Sequence, residues 1–201
     1  MSNEARLELV TLSHDFYRRG WCLATSGNFS ARIDRDHFVI TASGKDKGTL
    51  QSQDFVELNL EGQYDTSPDS RPSAETLLHS TIYKKLPEIN CVLHTHSIYS
   101  NVLSLKYFDE GRLLIQNYEM LKALKGVYTH EHTEMLHILP NSQDMVALSQ
   151  RIVDLLHEEH DSHGFLIAAH GLYTWGKSIA EARRQLEALE FLLECECRRV
   201  K

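Results

Sequence analysis

Three observations predict an α/β fold for this chain. Segments with a helix's apolar spacing alternate with short β-branched and apolar runs along the whole sequence. Its 201 residues suit one ordinary domain of roughly 100–200 residues. No internal repeat, low-complexity tract or long linker divides it, so residues 1–201 read as a single domain.

Glu4 to Arg19 carries Leu9, Leu12 and Phe16 at helical spacing, and Gly20 ends that helix. ATSGNFSARID reads as a turn-rich stretch. His37–Ala42 and Phe55–Asn59 read as strands separated by the polar loop SGKDKG. YDTSPDSRPS reads as a loop, with Ser73 capping a helix that Pro87 stops. Asn90–His96 has a strand's composition and Ser97–Leu105 a helix's. Leu113–Ile115 reads as a brief strand, Tyr118–Leu124 as a short helix, and His137–Leu139 as a strand turned by Pro140 and Asn141. Asp144–His157 is a helix with Val146, Ile152, Val153 and Leu156 on its apolar side. Gly164–Ala169 is a buried strand and Leu172–Trp175 another. Ser178 and Glu181 have capping-box spacing, ahead of a helix seamed by Ile179, Ala182, Leu186, Leu189 and Leu193.

Hydrophobic residues are 42% and charged residues 24% of the chain, which excludes disorder as a description of the whole. A formal net charge of -7 has the wrong sign for a nucleic-acid or anionic-membrane partner, and neither is expected. Apolar runs such as Phe165–Ala169 fall short of the ~20 residues a membrane helix needs. The N-terminus has early acids and no continuous apolar core, unlike a signal or transit peptide. Cys22, Cys91, Cys195 and Cys197 form no C-x-x-C and read as free thiols, so a cytoplasmic location is expected.

His94-Thr95-His96 is the sharpest chemical signal. A strand sends residues i and i+2 to one face, and two histidines on a rigid strand make half of a metal site. Alone, H-x-H more often marks two partly exposed histidines. Two features shift that balance: Glu75 at the start of a helix, and His170 directly after the apolar run GFLIAA, an end-of-strand position where α/β folds bind ligands. Three imidazoles with an open coordination position describe a catalytic zinc site. Ser26-Gly27-Asn28 and Thr41–Lys45 are small, polar, glycine-containing loops that can turn N–H groups and hydroxyls toward an anion, and Ser73 adds a hydroxyl at a helix N-terminus. Neither loop has the spacing of a nucleotide-binding motif, so a monophosphate fits better. His157-Glu158-Glu159-His160 lacks the i, i+4 histidines of a metalloprotease, and with His163 it reads as a solvated helix end. His130 and His132 read as surface or interface.

The ordered set SGNFS, TASGKDKG, RPSAE, VLHTH and AAHGLYTWG resembles the class II aldolase family, from about Leu12 to Glu190. The resemblance implies a three-layer α/β/α domain with a central sheet flanked by helices. It implies one Zn²⁺ per subunit on His94, His96 and His170, with a sugar phosphate as substrate. Ser26, Gly27, Asn28, Ser43, Gly44 and Ser73 then match the family's phosphate-binding positions. Glu75 matches a glutamate that completes the metal shell or acts as a base. TASGKDKG, RPSAETLLH, NYEMLKALKG and HGLYTWGKS are most like a hydro-lyase branch of the family, which dehydrates a methylthio-sugar phosphate in methionine salvage. There Glu119 matches an acid/base and is the first choice for proton transfer, with Glu75 second. The family's aldolases tend to carry two serines before the glutamate, where this chain has Ser73-Ala74. An aldolase or epimerase, or a non-catalytic interaction protein on the same scaffold, are the alternatives. The resemblance also implies a homotetramer with active sites at subunit interfaces.

Overall fold

The computed structural model describes residues 2–64, 70–158 and 162–199. Helix α1 (Ser2–Arg18) buries Leu9, Leu12 and Phe16. Strands β1 (Asn28–Arg32), β2 (His37–Thr41) and β3 (Phe55–Asn59) follow. Then come α2 (Thr76–Lys85), β4 (Cys91–Thr95), α3 (Ile98–Lys106) and β5 (Arg112–Gln116). The chain continues through β6 (Thr133–Leu139), α4 (Met145–Glu158), β7 (Gly164–Ile167), β8 (Gly171–Gly176) and α5 (Ile179–Arg199). The strands form one sheet in the order β3-β2-β1-β4-β8-β7-β6-β5. Among these strands, only the β6–β7 pairing is parallel.

Strand alternation decides the layers. Val92, Phe165, Ile167, Tyr173 and Trp175 project from one face into a core with Leu78 and Ile82 of α2 and Leu148, Ile152 and Leu155 of α4. Leu93, Leu166 and Leu172 project from the other face, against α1, α3 and α5. The result is the expected three-layer arrangement. Each fully buried Leu or Phe contributes about 1.5–3 kcal/mol by leaving water, and the α5 seam Ala182, Leu186, Leu189 and Leu193 anchors that helix on the sheet in this way.

The differences from the sequence reading have physical causes. Strand β1 lies within the supposed turn-rich stretch, because Asn28 and Ser30 are polar yet buried and break its apolar signature. Strand β6 begins at Thr133, four residues before the expected start. Its inward positions are Glu134, Leu136 and Ile138, and a buried glutamate disguises the alternation. The helix expected at Tyr118–Leu124 is a 3-10 turn, Glu119–Ala123. Val146 is 70% exposed, so the apolar side of α4 runs through Leu148, Ile152, Leu155 and Leu156 instead. Ser178 accepts from the Glu181 N–H, but the Glu181 carboxylate returns to the Lys177 N–H, so the capping box is only half closed. Strand β7 ends at Ile167, and residues 168–170 form a tight turn into β8. His163 is buried, bonded to Glu134 and to the Lys125 carbonyl, so it is no part of a solvated helix end. Glu159 and His160 lie outside the described residues. Among the described residues, no helix is long and apolar enough to cross a membrane.

Candidate metal centre and anion pocket

His94 is the inward residue of β4, on the same face as Val92. His96 lies just beyond that strand, tied by its N–H to the Trp21 carbonyl. His170 sits in the β7–β8 turn behind Ala169, whose positive φ of 53° costs a residue with a Cβ about 1–2 kcal/mol. Ala169 N–H bonded to Ser104 Oγ, and Asn101 Nδ2 bonded to the His170 carbonyl, hold that turn. Gly171 follows because a Cβ there would lie 1.9 Å from the Thr95 carbonyl oxygen. That missing Cβ lets β8 close on β4, bringing His170 to His94.

Glu75 completes the group. It occupies the N-cap position of α2 but makes no capping hydrogen bond, which leaves its carboxylate free to face the histidines. Ser73 is therefore not the cap; its Oγ accepts from the Glu75 N–H at 3.3 Å. One ligand atom from each of Glu75, His94, His96 and His170 lies within 4.8 Å of the others. The His94 Nδ1–H must donate to the Leu172 carbonyl, 2.9 Å away, because a carbonyl only accepts. Its Nε2 therefore turns a bare lone pair inward. That nitrogen lies 2.8 Å from His96 Nε2 and 3.3 Å from His170 Nε2. Three converging imidazole nitrogens and a carboxylate oxygen form a donor set that fits zinc.

The electrostatics agree. Burial pushes His94 well below its ordinary value, and burial followed by the His170 charge pushes His96 down to about 4; neutral imidazole is the ligating form. Burial alone would raise the Glu75 carboxyl. His94, the His170 hydrogen bond and Asn28 outweigh it and hold the group well below the carboxylate range. Its Oε1 lies 2.8 Å from His170 Nε2, while Oε2 accepts from Asn28 Nδ2 and, at 2.9 Å, from Tyr173 O–H. Burial and then Glu75 keep the Tyr173 phenol protonated, and its ring stacks on His94 with centroids 3.9 Å apart.

A cavity of about 280 Å³ adjoins this group. Ser26, Gly27, Asn28, Ser43, Gly44 and Ser73 all line it, with Glu75 and His96 at its metal end. Gly27 has φ 75°, and a Cβ there would meet the His94 carbonyl oxygen at 2.8 Å. The sequence reading missed Lys47 and Tyr173. Lys47 lines the cavity although it is 1% exposed. Its ammonium donates to the carbonyls of Thr25 and Lys45, which leaves a third proton. Lys45, the lysine within the expected anion loop, turns away to pair with Asp54 at 2.8 Å. The signal for Lys47 was the second lysine of GKDKG. Glu119 does not line the cavity; its side chain is 72% exposed and pairs with Lys122. Burial raises the Cys22 thiol to about 12 and raises Cys91 further, so neither is a nucleophile.

Behind the cavity, His79 is fully buried, and burial pushes it down to about 4 from an ordinary value near ~6.5. The unfolded chain therefore takes up a proton that the folded chain refuses. This stabilisation is complete above ~pH 6.5 and declines as the pH falls toward 4. From pH 7 to pH 5 it should fall by ~2 kcal/mol for His79 alone. Urea denaturation of chelated protein reads this loss, and a flat profile would contradict a buried neutral ring.

Residues 7–197 match the family described as Class II Aldolase and Adducin N-terminal domain. Methylthioribulose-1-phosphate dehydratase of Xylella fastidiosa (strain M12) is 47% identical over 192 residues, 96% of this chain and 87% of that protein. The enzyme of the same name from Hahella chejuensis is 46% identical over 189 residues, 94% of this chain and 90% of its own. Among solved structures, YgbL of Escherichia coli superposes with a TM-score of 0.79 at 25% identity, over 96% of this chain and 88% of that one. L-fuculose-1-phosphate aldolase of Thermus thermophilus shares the fold, with a TM-score of 0.76 at 24% identity over 98% and 95% of the two chains. With its match spanning nearly every residue from α1 to α5, this chain belongs to the class II aldolase family.

Proposed function

We propose that the chain is a zinc-dependent methylthioribulose-1-phosphate dehydratase of methionine salvage. It would convert 5-methylthioribulose 1-phosphate to 2,3-diketo-5-methylthiopentyl 1-phosphate and water. The observation that carries the reading is the continuity of the His94–His96–His170–Glu75 group with a small anion pocket, joining the two features a metal-assisted reaction on a sugar phosphate needs. The substrate assignment is supported by relatives of that name at 46–47% identity.

His94, His96 and His170 would hold the metal, which when bound polarises the substrate carbonyl as a Lewis acid. Ser26, Gly27, Asn28, Ser43, Gly44 and Ser73, with Lys47 as the buried cation, would bind the C1 phosphate and orient the sugar. Glu75 is ionised and its Oε2 already accepts two hydrogen bonds, so Oε1 is the oxygen we assign to take the C3 proton. The C4 hydroxyl then leaves with a proton as water, and the resulting enol ketonises. We assign Glu119 to the second proton transfer. It would have to enter from a neighbouring subunit, which the proposed homotetramer provides. The exposed stripe Ile98, Val102 and Leu105 on α3, which starts two residues after His96, is apolar surface that a second copy would cover. A cytoplasmic location, proposed with this function, accords with free cysteines.

Product analysis by mass spectrometry tests the reading. Zinc-loaded protein given 5-methylthioribulose 1-phosphate should yield a product lighter by one water, and chelation should abolish the conversion. Cleavage to a triose fragment would instead establish an aldolase. No reaction from folded, metal-loaded protein would overturn the substrate assignment.

A further inference from the structure

We infer that His79 is a positioning residue, whose Nε2–H locks the Asn28 amide and through it the carboxylate of Glu75. The inference rests on the reading of this cavity as the active site. Five side chains behind the cavity form a continuous hydrogen-bonded line, and chemistry fixes the direction of each bond. Glu75 Oε2 can only accept, so the nitrogen of the Asn28 amide faces it. Asn28 Oδ1 therefore faces His79, and this oxygen also only accepts, so His79 Nε2 carries the proton. His79 is neutral and lends Nδ1 to Ser30, 2.7 Å away. The Ser30 hydroxyl spends its proton there and accepts from Tyr83 O–H at 2.8 Å. Every bond points toward Glu75.

Ser30, His79 and Tyr83 are at most 1% exposed and Asn28 is 5% exposed. Burial shields these bonds from bulk solvent, and a reversed amide would set oxygen against carboxylate. His79 also packs edge-on against Tyr173, with ring centroids 5.7 Å apart. It thus touches both residues that donate to Glu75 Oε2. The outcome is a carboxylate with one oxygen tethered and the other turned to the histidines. A buried histidine serving packing alone would need neither this tautomer nor this amide orientation.

Nitrogen-15 NMR of the whole protein at pH 7 reads the tautomer: Nε2 protonated and Nδ1 bare is expected, and the opposite tautomer would overturn the inference. Variants test the consequence. His79→Gln keeps an N–H near the Nε2 position, so zinc affinity, measured against a competing chelator, and kcat/KM should stay within about threefold of wild type. His79→Leu should lose roughly 10–100-fold in one or both. In an Asn28→Ala background the same change should cost less than about twofold, because both substitutions break one linkage. Independent, multiplying losses, or equal damage from Gln and Leu, would show a merely structural role. If His79→Leu fails to fold, Ser30→Ala removes only the hydroxyl that donates to Nδ1. The Asn28 oxygen should still hold the proton on Nε2 and zinc affinity should stay within about threefold of wild type, whereas a switch to the Nδ1–H form would overturn the inference. The tautomer and zinc readouts use no substrate, so an error in the substrate assignment would leave them standing and be recognised as such.

Discussion

His94→Ala is expected to abolish stoichiometric zinc binding and to lower kcat by ~10³-fold or more, the scale of losing a Lewis acid worth several kcal/mol. His94 is the centre of the group. It is fully buried, its Nε2 faces both other imidazoles, and its Nδ1–H is anchored on Leu172. Elemental analysis and kcat on the same preparation make the check. A variant that keeps its zinc and its rate would remove His94 from the ligand set. A metal-independent interaction, the property expected of a non-catalytic relative, should survive the substitution. The experiment therefore also separates an enzyme from an interaction protein on the same scaffold.

Lys47→Met should act on binding more than on turnover. A charge-assisted hydrogen bond contributes about 1.5–3 kcal/mol, so KM for the phosphorylated substrate should rise by roughly 10–100-fold. The inhibition constant of inorganic phosphate should rise in parallel, while kcat changes by only a few-fold. Burial lowers the Lys47 ammonium, and the Asp46 and Glu75 carboxylates pull it back. A bound phosphate would add to that pull. A fall in kcat with an unchanged KM would instead place Lys47 with the chemistry.

The clustered histidines were legible because strand geometry and an end-of-strand position speak through single residues: H-x-H at the end of β4 and a histidine after GFLIAA. The six residues that line the cavity were legible as small polar turns and through family likeness. Lys47, Tyr173 and His79 were not: GKDKG offers two lysines, and nothing local says which of them is buried. Tyr173 meets Glu75 across 98 positions and His79 meets Asn28 across 51. The same polar burial that builds the site hid its strand: Asn28 and Ser30 face inward and make β1 look like a turn. Glu134 did likewise to β6. Glu119 illustrates the opposite limit, a residue chosen by likeness whose own chain leaves it in solvent.

The β4–β8 contact sets the order of events during synthesis. His94 and His170 are 76 positions apart, so at roughly 5–20 residues per second the third imidazole is made about 4–15 s after the first. Until then the nascent chain has an H-x-H pair and Glu75 but no closed set of ligands. Pairing across that separation is a slow, non-local step, and a metal held by the full set of four side chains would be captured after it. An ion acquired so late strengthens the finished protein and not the route to it. Metal loading should thus lengthen the lifetime of the folded chain while its refolding rate stays the same.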